Sequence, residues 1–206
     1  MSRLTFYTHP MSRGRVIRWM LEEIGVPYET TILDFQTSLK SSEYLKINPM
    51  GKVPAIQHGN VVVTETPAIC AYLADAFPTA DLAPLPEERG SYYRWLLFAA
   101  GPLEQSCVTR ALGFDVRPDQ EGTLGFGNHE LMLNALSVML KAQPYAAGER
   151  FTAVDVYLGA QLQWNMSKDV IAERDEFVAY TQRTHERPAA MRAAAIDDAL
   201  IKELTS

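Results

Sequence analysis

Asn48-Pro49-Met50-Gly51-Lys52-Val53-Pro54-Ala55-Ile56, followed by Thr64-Glu65-Thr66-Pro67, is the stretch whose reading decides this chain. The first segment places an X-Pro bond at the mouth of a short apolar strand. The second places an acidic residue and a hydroxyl directly before a helix. X-Pro is the one peptide bond for which the cis state comes at modest cost. A cis bond before Pro54 would turn the Val53 backbone outward, where it could pair with an extended ligand as a short antiparallel ladder. A trans proline at a strand start is the ordinary alternative. Thr66 has the chemistry of an N-cap, and Pro67 fits a first helical turn. The free amides of such a helix start suit a carboxylate. Glu65 beside them could pair with an ammonium group, or simply be a solvated glutamate.

Upstream, Leu4 to Thr8 is β-prone. Ser12 to Ile24 is helical, with Val16, Ile17, Met20, Leu21 and Ile24 at three- and four-residue spacing. Gly25 stops that helix and Pro27 prevents its return. Tyr28 to Leu33 reads as a second strand, and a short helix is expected near 41–47. Val53 to Gln57 and Val61 to Thr64 flank the turn His58-Gly59-Asn60. A helix from Pro67 to Phe77 follows. The order β-α-β-α-β-β-α describes a small α/β layer with a right-handed crossover between the first two strands.

Pro78 to Glu88 holds three prolines and several acidic residues, a linker composition. From Arg89 onward the pattern is almost wholly helical, and Pro102 should kink the first helix by removing an amide donor. Further helices are expected near 128–142, 152–166 and 176–186. The expected division is 1–78 as an α/β domain, 79–88 as linker and 89–206 as an all-helical domain.

Composition excludes several classes. The 206 residues are 47% hydrophobic, enough for a sizeable core. No apolar run is long enough to cross a bilayer and no signal peptide is apparent, so a cytoplasmic protein is expected. Residues 1–80 carry 7 basic and 7 acidic residues, whereas 81–206 carry 12 and 18, so the net charge of −6 lies wholly in the second part. No basic stripe for nucleic acid is present. Cys70 and Cys107 form no C-x-x-C pair, which argues against a disulfide framework, a metal site or a dithiol centre. Small anions remain possible partners of Arg13, Arg15, Arg18, Lys40, Lys46 and Lys52.

In Tyr7-Thr8-His9-Pro10-Met11-Ser12, the serine is either a helix cap or a hydrogen-bond donor to an anion. A free thiol is only a few per cent ionised at neutral pH. One charge-assisted hydrogen bond, worth roughly 1.5–3 kcal/mol, shifts that by about one to two pKa units. Thr152-Ala153-Val154-Asp155 looks like a second polar site but has the form of a capping box, with Phe151 and Val156 as its staple. It is assigned to folding.

These pieces, in this order, resemble the soluble glutathione transferases of bacterial type over essentially the whole chain. The motifs are N-P-M-G-K-V-P-A-I, T-E-T-P-A-I and F-T-A-V-D-V-Y-L-G. The resemblance implies a thioredoxin-like domain, then a helical domain, and glutathione as co-substrate with no permanently bound cofactor or metal. It implies a cis Val53-Pro54 bond, Val53 holding the cysteinyl backbone, Glu65 and Thr66 holding the γ-glutamyl end, and Lys52 and Lys40 facing the glycine carboxylate. Ser12 lines up with the serine that contacts the thiolate in serine-type classes. Arg13-Gly14-Arg15 is similar to a motif of the tyrosine-type classes, but the tyrosine position four residues earlier is His9. Ser12, His9 and Tyr7 therefore all stay open as the sulfur contact. No cysteine stands near Ser12, unlike the cysteine-type and zeta classes. An unnamed electrophile would meet Met11, Leu103, Cys107, Arg110, Phe114 and Trp164 between two domains of a homodimer's subunit. The alternative is a glutathione-binding or protein-interaction module with little catalysis.

Overall fold

A computed structural model describes residues 2–205. The chain forms two compact units: the residues up to Leu82 together with those from Glu186 on, and the residues from Ala83 to His185.

In the first unit β1 (Leu4–Thr8) leads through a tight loop into α1 (Gly14–Ile24), β2 (Glu29–Ile32) and the short α2 (Ser42–Leu45). The hairpin β3 (Ala55–His58) and β4 (Val61–Thr64) follows, and then α3 (Thr66–Ala76). The sheet order is β2-β1-β3-β4, with β1 parallel to β2 and both later pairings antiparallel. This is the thioredoxin-like layer expected. Alternation in β1 divides the core by face. Phe6 and its cross-strand partner Ile56 are buried, as are Ile17, Met20 and Leu21 of α1 and Ile69 and Leu73 of α3. Tyr7 and its partner Ala55 share the other face with a cluster of Leu33, Leu39, Tyr44, Ile47 and Val53.

The second unit is helical: α4 (Arg89–Phe98), α5 (Glu104–Ala111), α6 (His129–Ala142), α7 (Ala153–Met166) and α8 (Asp175–His185). Pro102 does not break the first of these runs. Ala99–Leu103 forms one widened π turn that joins α4 to α5, with helical backbone on both sides. A wider turn needs no i→i−4 bond from the proline, which is how a helix carries one internally.

The last helix, α9 (Pro188–Thr205), packs on α1 and belongs to the first unit, so the all-helical region expected over 89–206 ends in packing terms at His185. Two helix starts also differ from expectation. Helix α1 begins at Gly14, not Ser12. In α3, Thr66 is the first helical residue and Glu65 occupies the cap position without a side-chain cap bond. No helix among the described residues is long and apolar enough to cross a membrane.

Candidate functional site

Strand register brings the separate motifs together. Tyr7 pairs with Ala55, and Ala55 pairs with Thr64, so the three form one row across the sheet. Immediately beyond that row lie Thr8 at the end of β1 with His9 after it, Val53 and Pro54 just before β3, and Glu65 and Thr66 just after β4. The same end of the sheet carries the carboxyl end of β1, the edge where α/β folds place ligands.

The Val53-Pro54 bond is cis. The loop before it is built by Asn48, which is buried. Its Nδ2 donates to Lys52 O at 2.8 Å and its Oδ1 accepts from Met50 N at 3.0 Å. Tyr44 also donates to Lys52 O, at 2.5 Å, and burial pushes its phenol up to about 12, so it stays a donor. Gly51 sits at φ +57°, and a Cβ there would meet Leu39 O at 3.0 Å, so only glycine fits. The Val53 side chain packs inward on the Leu33 cluster. Its backbone N–H and C=O have no partner among the described residues. An extended chain laid along them would find both groups unpaired.

Glu65 adopts φ +65°, ψ +117°, which L-residues rarely do. Such conformations persist only where the surroundings impose them, and they cluster at ligand sites. Its carboxylate is exposed and unpaired among the described residues, beside the uncapped first turn of α3. A carboxylate able to face a cation and a helix start able to face an anion thus sit side by side. Lys40 and Lys52 are both exposed, and Lys40 Nζ reaches Gly51 O at 3.4 Å.

The end of β1 and the loop that follows it hold the three candidate sulfur contacts. Ser12 Oγ donates to His9 O at 2.7 Å and accepts from Gly14 N at 2.9 Å. This hydroxyl starts α1 without being its formal cap. Gly14 is required here, since a Cβ would fall 1.8 Å from Thr8 Oγ1. His9 is 9% exposed, stacks on Phe35 at 4.2 Å, and accepts Met11 N on Nδ1 at 3.1 Å. The neutral ring therefore carries its proton on Nε2. Tyr7 is different: its hydroxyl donates to Gln57 Oε1 at 3.2 Å, and its ring lies against Tyr44. Of the residues expected to meet an electrophile, Leu103 and Cys107 are buried in the second unit's core, while Met11, Arg110, Phe114 and Trp164 are exposed. Sequence reading gives Asn48 and Gly14 no role within their motifs and does not single out Tyr44. The signals for the first two are an Asn two residues before a backbone amide it could accept, and a glycine at a helix start.

Thr152-Ala153-Val154-Asp155 behaves as a folding device. Asp155 accepts from Thr152 N (2.8 Å), Thr152 Oγ1 (3.0 Å), Ala146 N (2.7 Å) and Tyr180 OH (2.8 Å). Burial pushes its carboxyl up from the ordinary range, against the pull of those four bonds.

Residues 2–75 match the family model "Glutathione S-transferase, N-terminal domain". Glutathione S-transferase GstA of Escherichia coli O157:H7 is 31% identical over 183 residues, covering 86% of this chain and 90% of that protein. The chain belongs to the glutathione S-transferase family. Two solved structures extend the likeness beyond the first unit. A glutathione S-transferase from Xylella fastidiosa has a TM-score of 0.78 at 23% identity, covering 95% of this chain and 99% of the other. At that identity the likeness speaks for the fold alone. A transferase homologue from Sulfitobacter, solved with bound glutathione, has a TM-score of 0.72 at 25% identity, covering 97% and 99%.

Proposed function

We propose that this member of the family is a serine-type glutathione transferase, in which Ser12 stabilises the glutathione thiolate for attack on an electrophilic carbon. Glutathione is the co-substrate of the family. The unpaired Val53 backbone, at the sheet end it shares with Ser12 and Glu65, is the observation that carries the reading. In it, Val53 pairs with the cysteinyl backbone, Glu65 and Thr66 hold the γ-glutamyl end, and Lys52 with Lys40 faces the glycine carboxylate. That order supports placing the sulfur over the β1–α1 loop. Ser12 already accepts an amide from Gly14, so its proton is the part free to be redirected from His9 O to a thiolate. Met11, exposed beside it, would meet an apolar co-substrate.

The gain would come from thiolate population and positioning, not from a proton relay. Ser12→Ala is expected to lower kcat/KM with a model aryl halide by roughly 10- to 100-fold, the rate equivalent of about 1.5–3 kcal/mol. Unchanged conjugation in that variant would refute the Ser12 role. A specific observation favours a second donor in the same loop, because His9 Nε2–H has no acceptor among the described residues. A large loss in His9→Phe with none in Ser12→Ala would move the role there. The proposal extends to a cytoplasmic homodimer. Light scattering that returns the 23.0 kDa mass of one chain would remove the dimer from it.

A further inference from the structure

Helices α1 and α9 are joined by a run of opposite charges. Arg15 Nη2 lies 2.8 Å from Asp198 Oδ1, and Arg18 Nε lies 2.7 Å from Asp197 Oδ1. Further along, Glu22 meets Arg192 at 3.2 Å, and Glu23 meets Arg187 through two bonds of 2.7 and 2.8 Å. The basic half of α1 faces the acidic half of α9, and the acidic half faces the basic one, so the helices run antiparallel.

One of these pairs is unlike the rest. Arg18 is 2% exposed and Asp197 1%. Arg18 Nη1 also reaches Tyr28 OH at 3.2 Å and Thr30 Oγ1 at 3.4 Å, and its guanidinium lies 5.3 Å from the centre of the Phe6 ring. Yet Arg18 Nη2 and Asp197 Oδ2 have no hydrogen-bond partner among the described residues. A buried ion pair with unmet polar atoms is a poor stabiliser, and two apolar side chains of similar volume commonly hold such a place as well or better. Stability therefore does not account for it. What the pair supplies is direction. A planar fork that engages α9, β2 and the face of Phe6 in β1 permits one placement of α1, whereas apolar contacts permit several.

That placement bears on the site. Arg18 lies about one turn along α1 from Gly14. Gly14 N donates to Ser12 Oγ, and a Cβ on Gly14 would fall 1.8 Å from Thr8 Oγ1 at the end of β1. We infer that Arg18 is a positioning residue for the reaction: with Asp197 of the C-terminal helix as counter-charge, it sets where α1 begins and so where the Ser12 hydroxyl stands. This rests on the Ser12 reading above. Misplacement of a reacting group by an ångström is enough to cost up to a hundredfold in rate.

The test compares Arg18→Met, Asp197→Leu, the double variant, Arg18→Lys and Ser12→Ala in the full-length protein. Each single apolar variant should melt well below wild type, because a lone charge is left buried. The double variant should regain most of that melting temperature but stay roughly tenfold or more down in kcat, with little change in KM for glutathione. The thiol limb of its pH–rate profile should rise toward that of Ser12→Ala. Arg18→Lys keeps the charge without the fork. It should fold, as judged by circular dichroism, and show the same loss, which keeps the inference testable if the double variant does not fold. Wild-type kcat in either folded variant overturns it. If Ser12→Ala is impaired while those variants are not, only this inference falls. If Ser12→Ala is unaffected, the Ser12 reading falls and takes this one with it.

Discussion

Two helix starts in this molecule look alike in sequence and differ in what they leave unpaired. At Thr152-Ala153-Val154-Asp155 the side chains of Thr152 and Asp155 cap the helix reciprocally, and Asp155 collects four hydrogen bonds. At Thr64-Glu65-Thr66-Pro67 no side chain among the described residues caps the helix, the Glu65 backbone is held at φ +65°, and its carboxylate stands exposed. A polar cluster that satisfies itself serves folding. One that leaves donors, acceptors and strain in place has the features that cluster at ligand sites.

The comparison breaks first at Asp155. Asp155→Ala strands the Ala146 and Thr152 amides and the Tyr180 hydroxyl in the core. It should cost about 3–4 kcal/mol. By melting temperature that is roughly 6–15 °C for a chain of this size, read by calorimetry. Activity per folded molecule should be unchanged below the transition. A melting temperature close to wild type would show that the box is dispensable.

Glu65→Gly sharpens the contrast, because its two effects run in opposite directions. Removing Cβ from a positive-φ position should raise stability by about 0.5–1 kcal/mol, despite glycine's added freedom when unfolded. Losing the carboxylate should weaken glutathione binding by roughly tenfold, as expected for one charge-assisted contact. A urea or thermal melt checks the first arm and calorimetric titration with glutathione the second, and undiminished affinity would detach Glu65 from the ligand.

The smallest effect is electrostatic and lies in the second unit. His129, whose Nδ1 lies 2.7 Å from Ser106 Oγ, is held below its ordinary value of 6.5, first by burial and then by Arg110. Burial does the same to His185. The fold therefore favours their neutral forms. Stability is complete above about pH 6.5 and declines as pH falls through the folded values, because the unfolded chain binds the protons first. Asp155 and Asp197, held up by burial, act in the opposite sense at lower pH. Urea midpoints between neutral pH and about pH 5.5 should fall less in His129→Gln than in wild type. An identical slope would exclude His129 as a contributor.

Local signals carried far in the first unit. The turn His58-Gly59-Asn60 located the hairpin of β3 and β4, and the stripe from Val16 to Ile24 located α1. The same kind of signal missed by a residue or two where a cap was involved. Ser12 and Thr66 look like N-caps by residue type, yet the helices start at Gly14 and Thr66 because neighbouring backbone supplies the geometry. Pro102 was legible as a disturbance but not as a π turn, which depends on how the flanking helices are held.

Residue type and order by themselves determined the α/β-then-helical arrangement, the candidate ligand-binding motifs and the assignment of the Thr152 box to folding. Those features arise within a few residues of chain, where propensity and capping chemistry act. Tertiary structure alone decided that Tyr7, Ala55 and Thr64 form one row, that Tyr7 spends its hydroxyl on Gln57, and that α9 returns to α1 through Arg18 and Asp197. Each of these depends on groups tens to more than a hundred residues apart becoming neighbours, and no local pattern encodes which of many equally charged or apolar partners they will meet.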